Sequence, residues 1–221
     1  MELVAIMGSP NGMKGNTGRV LESLLKASGA EVTLFCLGDL SIAPCIACDA
    51  CHRTGECSIR DDFQSVLAAM VAADAIVLAS PNYIMSVTAQ MKALFDRCCG
   101  PIHTQALDGK YGAAVVTSGS QESAEVEDHI LRFLRVTGCY TVGSVGTSAA
   151  ELFDGAERAR VLGSAADLGR RLASAVGSRQ PMPEQEPARS AFRERMRQLV
   201  TSQRDRWTYE YEWWQEHERS A

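Results

Sequence analysis

Short apolar runs alternate along this chain with longer segments whose apolar positions recur every three or four residues. Residues 3–7 form the first run, closed by Gly8, Ser9 and Pro10, and they predict a buried parallel strand. Asn16 and Thr17 then offer a start for a helix reaching about residue 26, with Val20, Leu21, Leu24 and Leu25 on one face. The same alternation predicts strands at 31–37, 75–79, 112–117 and 140–145. Helices are expected at 62–72, 87–98, 122–137 and 157–176. Regular βα alternation implies a parallel sheet with helices on both faces, and five strands in this rhythm suit the order 2-1-3-4-5. No internal repeat interrupts it.

Two stretches break the rhythm. Residues 38–60 have neither period and form a loop longer than a compact domain normally tolerates without a function. After Gly177 the prolines Pro181, Pro183 and Pro187 mark a polar linker, and a helix is expected from about 188 to 218. Its apolar face comprises Phe192, Met196, Leu199, Trp207, Tyr211 and Trp214. Aromatic enrichment makes a partner subunit the first expectation for what covers that face, and the chain's own domain the second. The organisation expected is thus a domain over 1–178 and a linker with an amphipathic helix over 179–221.

Composition narrows the picture. Apolar residues make up 46% of the 221, enough for a sizeable core, and a net charge of −5 argues against nucleic acid. No apolar run approaches membrane-spanning length, and the N-terminus does not read as a leader, so a cytoplasmic protein is expected. Eight cysteines are many for such a protein. Cys36, Cys98, Cys99 and Cys139 lie in apolar surroundings and read as small buried hydrophobes.

The other four, Cys45, Cys48, Cys51 and Cys57, give C-x2-C-x2-C-x5-C inside the irregular loop. Zinc and iron–sulfur clusters both accept four thiolates; three in succession at this spacing favour a cluster wrapped by one loop, with zinc or redox-active thiols as alternatives. Asp61 and Asp62 read as caps of the next helix. His52 lies inside the loop but is not needed as a ligand beside four thiols. His103, His129 and His217 lack a partner pattern and are expected in solvent. Lys92 and Arg97 read as salt-bridging residues.

The segment from Gly8 to Gly18 joins the first strand to the first helix, where exposed N–H groups and a helix N-terminus form an anion site. It matches neither the Walker A loop nor the dinucleotide fingerprint, and a monophosphate is the better fit. This G-S-P…G-N-T-G loop resembles that of the NADPH-dependent FMN reductase and iron–sulfur flavoprotein branch of the flavodoxin-like superfamily. Ser80-Pro81-Asn82-Tyr83-Ile84-Met85-Ser86, with Gln90-Met91-Lys92-Ala93 and Phe95-Asp96-Arg97 after it, is similar to that branch's second flavin loop and helix. Thr117-Ser118-Gly119-Ser120-Gln121-Glu122 resembles its third loop, although no glycine follows Gly119 as family members often have.

The resemblance covers roughly residues 3–150 and implies an α/β flavodoxin-like fold with a cysteine-rich insertion after the second strand and a helical C-terminal extension. It implies FMN, its phosphate among Ser9, Lys14, Gly15, Asn16 and Thr17. Pro81, Asn82, Tyr83, Ile84 and Ser86 would line one side of the isoalloxazine ring, and Ser118 with Gly119 the other. It also implies a 4Fe–4S cluster on the four cysteines. No acid–base residue stands out, which fits electron transfer by a flavin oxidoreductase. Ferredoxin or NAD(P)H is the expected donor, and a small molecule the acceptor. A homodimer or homotetramer is expected. A cluster-free NAD(P)H-dependent FMN, quinone or nitro reductase and a flavin enzyme tailoring one metabolite are the alternatives.

Overall fold

The computed structural model describes residues 1–119 and 123–218. Five parallel strands, β1 (Glu2–Met7), β2 (Glu31–Cys36), β3 (Ala75–Pro81), β4 (Tyr111–Ser118) and β5 (Tyr140–Ser148), form one sheet in the order β2-β1-β3-β4-β5. This is the expected order. The chain also contains α1 (Asn16–Ser28), α2 (Ala50–Thr54), α3 (Phe63–Ala72), α4 (Ala89–Arg97), α5 (Cys99–His103), α6 (Ala124–Val136), α7 (Ala149–Phe153), α8 (Gly155–Ser178), α9 (Glu186–Ser202) and α10 (Thr208–Glu218). The short helices α2, α5 and α7 were not legible, because five residues hold too few turns to show a period.

Side chains alternate across the sheet and make two cores. Val4, Ile6, Ile76, Leu78, Ala114 and Val116 pack under α3, α4 and α6 with Met70, Leu94, Ile130 and Leu134. Leu3, Ala5, Met7, Val77 and Val115 face α1 and α8, meeting Leu21, Leu24, Leu168 and Leu172. Both faces of the sheet are therefore covered, as a parallel sheet requires. No helix among the described residues is long and apolar enough to cross a membrane.

The tail departs from expectation twice. The periodic stretch is two helices, α9 and α10, with turns over residues 203–206 between them. Its aromatic face is also buried within its own chain. Met196, Val200 and Trp214 form a third core with Ile102, Phe192 and Trp207 against them. The Trp214 indole donates to the His103 carbonyl at 3.2 Å, and Arg189 donates to Asp108 at 2.6 Å while stacking on Tyr140. Periodicity defines an apolar face but does not say which surface receives it.

Candidate functional site

Parallel pairing brings the carboxyl ends of β1, β3 and β4 to one edge, and the three predicted loops leave from it. Gly8 N–H donates to Ala79 O at 2.7 Å, and Asn82 N–H to Thr117 O at 2.7 Å. Thr17 at the start of α1 meets Thr117 at the end of β4, oxygen to oxygen at 2.6 Å. Ser9 is buried and its hydroxyl accepts from Asn11 N–H at 3.2 Å. Gly15 is the N-cap residue of α1 and offers no side-chain oxygen, so no side chain caps the first turn of that helix. That arrangement suits a phosphate, which completes such donors. A Cβ at Gly18 would overlap the Met13 carbonyl, which explains why the loop can fold so closely onto the helix. Asn16 is half-buried beside Thr17, and Lys14 stands exposed in a single 3-10 turn.

The second loop ends in a tight reverse turn. Tyr83 and Ser86 exchange N–H···O bonds of 2.9 and 3.2 Å, and the two residues between them have φ of +48° (Ile84) and +61° (Met85). Such turns normally use Asn-Gly; a β-branched residue there is strained, a condition that concentrates at functional sites. Ile84 is 96% exposed at this tip. Pro81 closes β3, and Ser118 ends β4 with Gly119 exposed behind it. The remainder of the third loop, residues 120–122, lies outside the described residues, as does the expected start of the helix after it.

Cys45, Cys48, Cys51 and Cys57 all line one cavity of about 180 Å³, together with Ile46, Asp96 and Arg97. Their sulfurs carry polar partners. Ala47 N–H donates to Cys45 at 3.4 Å, Ser58 lies 3.1 Å from Cys48, and Arg97 Nε donates to Cys57 at 3.1 Å. The Ser58 hydroxyl lowers the Cys48 thiol below its usual range. Four thiols lining one cavity, three of them with hydrogen-bonded sulfurs, are a donor set that fits an iron–sulfur cluster.

Arg97 is the anchor of the loop. Its side chain is wholly buried, forks onto Asp61 at 2.9 and 3.2 Å, and donates to the carbonyls of Ala43 and Ile59. Asp61 also accepts from Ala43 N–H and, cap-like, from Phe63 N–H. Asp62 does not cap as expected; its carboxylate takes Ser41 N–H and ties the start of the loop to its end. Lys92 forms the expected surface pair, with Asp96 at 2.5 Å. Thr88, which caps α4, donates to Gly8 O, while Arg97 closes the same helix at the cysteines. Nine residues of helix, about 13 Å, separate the flavin loops from the cysteine cavity.

Sequence reasoning missed a buried polar group beside this cavity. His52 and His103, expected spare and in solvent respectively, are both buried and stacked at 4.9 Å. Glu210 from α10, fully buried, bridges them: Oε1 lies 2.6 Å from His52 Nδ1 and Oε2 3.0 Å from His103 Nδ1. Burial opposes the charged imidazoles, but hydrogen bonds to Cys51, Cys99 and Glu210 raise His52, and those to Cys99 and Glu210 raise His103. His103 and then His52 hold the Cys99 thiol below its usual range. Cys99 is half-buried and 3.9 Å from His103 Nε2, not the buried hydrophobe expected; Cys36 is also only half-buried, whereas Cys98 and Cys139 are core residues. The spacing Cys99–His103, one turn apart, was the available signal. His129 and His217 are exposed as expected.

Fold and site together define a flavin-dependent oxidoreductase of flavodoxin-like architecture. Residues 1–152 match the model of the NADPH-dependent FMN reductase family, and the chain belongs to that family. Its relatives include an iron–sulfur flavoprotein of Archaeoglobus fulgidus, 33% identical over 98% of both chains. Another, from Methanosarcina thermophila, is 34% identical over 65% of this chain and 78% of its own. Among solved structures, the NAD(P)H:quinone oxidoreductase of Methanothermobacter marburgensis shares the fold, with a TM-score of 0.60 at 16% identity over 78% of this chain and 98% of that one.

Proposed function

We propose that this protein is an FMN-dependent oxidoreductase with a 4Fe–4S cluster on Cys45, Cys48, Cys51 and Cys57. It carries electrons between a ferredoxin-like carrier or NAD(P)H and a small-molecule acceptor. The observation that carries this reading is the single cavity shared by the four thiols, one short helix away from the flavin loops. The relatives named iron–sulfur flavoproteins support it. Bound FMN supplies one- and two-electron chemistry, and a cluster supplies single-electron steps, so the pair joins the two kinds of carrier.

The chain's own residues hold and tune both groups. Ser9, Lys14, Gly15, Asn16 and Thr17 take the phosphate at the uncapped N-terminus of α1, where the helix dipole favours an anion. Pro81, Asn82, Tyr83, Ile84 and Ser86 line one side of the ring, and Ser118 with Gly119 the other. The Arg97 guanidinium at Cys57 offsets charge on the ligand set, which raises the potential of a cluster held there. The exposed apolar tip of Tyr83, Ile84 and Met85 supports assembly into a homodimer or homotetramer.

The test is a visible spectrum of protein purified without oxygen, with iron and sulfide assayed on the same sample. Flavin bands with about four irons per chain are expected. Flavin bands with zinc or no metal would leave a simple NAD(P)H-dependent reductase instead.

A further inference from the structure

We infer that His52, His103 and Cys99 form a second metal site, at the wall of the four-cysteine cavity but built from other donors, and suited to a single zinc-class divalent cation. One nitrogen of each imidazole and the Cys99 thiol lie within 4.8 Å of one another, and among the described residues no other such group occurs. The inference stands on these three residues and does not depend on the electron-transfer reading.

Four features make this a built site. The Cys99–His103 separation of 3.9 Å is within a few tenths of the roughly 3.6 Å that bonds of about 2.0–2.3 Å produce around one tetrahedral ion. Both Nδ1 atoms are engaged by the Glu210 carboxylate, at 2.6 and 3.0 Å, which leaves Nε2 as the ligating atom of each ring; His103 Nε2 already faces the Cys99 sulfur, and His52 hydrogen-bonds Cys51 and Cys99 as well. A carboxylate behind a ligating histidine fixes tautomer and orientation, and here one carboxylate serves two. Packing holds the geometry: the two rings stack on each other and Trp207 covers both, at 4.6 and 4.9 Å. Charge closes as well. With both imidazoles neutral as ligands, the Cys99 thiolate and the buried Glu210 carboxylate carry two negative charges, and a divalent cation neutralises both in place of the imidazolium protons it displaces.

Donor chemistry selects the ion. Two imidazoles and a thiolate suit zinc and disfavour magnesium or calcium, which prefer oxygen. His52 and Cys99 also line the cavity of the four cysteines. Asp49 Oδ1 lies 4.0 Å from His52 Nε2, but its carboxylate is paired with Arg206. Binding displaces the protons of the thiol and of any charged imidazole into solvent.

The experiment uses the full chain purified without oxygen and with its iron in place. It is incubated with zinc chloride, desalted, and assayed for zinc and iron. The expected result is one retained zinc per chain with no loss of iron. X-ray absorption at the zinc edge should show two light nitrogen neighbours and one sulfur. The isosteric C99S variant should lose most of the zinc and keep its iron, and E210Q should bind zinc about 10–100-fold more weakly. No retained zinc would overturn the site in favour of a structural imidazole–carboxylate knot. So would retention unchanged in C99S. Zinc gained only as iron is lost, or an all-sulfur shell, would assign the ion to the four cysteines. Iron lost in C99S would make Cys99 part of that other site.

Discussion

Arg97 and Asp61 meet as a two-pronged fork, at 2.9 and 3.2 Å, across 36 residues of sequence. The arginine ends the helix that leaves the flavin loops, and the aspartate ends the cysteine loop. Removing one partner strands a buried charge, which costs about 3–5 kcal/mol. Asp61→Ala should therefore lower the urea midpoint markedly and reduce bound iron. Arg97→Lys keeps the charge and loses the fork, so it should retain more stability than D61A while still losing iron. Iron content equal to wild type in both variants would show that the pair does not hold the cysteines.

The same pair sets an acid limit. Burial alone raises the Asp61 carboxyl, but the Arg97 guanidinium and the N–H groups of Ala43 and Phe63 outweigh it and hold the group below its usual value. Its folded pKa lies under the unfolded value of about 3.9. The stability it contributes is thus complete above that pH and is lost as pH falls through the folded pKa. The gap in unfolding free energy between wild type and D61N should be constant from pH 7 to about 5 and close at lower pH. A gap that stays unchanged as the pH falls below the unfolded value of about 3.9 would contradict the assignment.

Ile84 and Met85 carry left-handed backbone at the tip of the second loop. Replacing them together with Asn and Gly supplies the residues this turn prefers and relieves about 1–3 kcal/mol per strained position. A melting temperature higher by several degrees is expected, together with weaker FMN binding, since Ile84 is read as a ring contact. Titration of FMN into the apoprotein measures the second effect. Loss of stability would refute the strain.

Thr17 joins the first loop to β4 through the Thr117 hydroxyl. Thr17→Val keeps the shape and removes the hydroxyl, so FMN affinity should fall roughly tenfold, as expected for a hydrogen bond to a charged group. Riboflavin, which lacks the phosphate, should bind both proteins alike. Equal FMN affinity in wild type and T17V would move the phosphate elsewhere.

Trp214 is buried in the tail core and bonded to the His103 carbonyl. Trp214→Ala should cost about 3–5 kcal/mol if the tail unfolds with the domain. Limited proteolysis should then cut the variant within residues 179–207 while the wild type resists. Rapid cleavage of the wild type would mean that the tail is not docked.

The sheet was legible because each strand carries a local signal, an apolar run closed by Gly, Ser, Pro or Asn, and βα alternation leaves few topologies open. The candidate phosphate loop and the four-cysteine spacing could be read for the same reason, since each lies on one short stretch of contiguous chain. His52, His103 and Glu210 were not: the bond that gives His52 its role spans 158 residues, and only His103, one turn after Cys99, carries a local signal. Arg97 read as an ordinary helical cation, and only packing made it the anchor of the loop.

The sequence by itself determined the order of strands, the edge at which the three loops gather and the close spacing of four thiols in the irregular loop, because periodicity and close spacing are properties of neighbouring residues. The tertiary structure alone decided that the aromatic tail covers its own chain and delivers Glu210 beside the cysteine cavity. An amphipathic face records only that it must leave water; the surface that receives it depends on shape and charge assembled from distant segments.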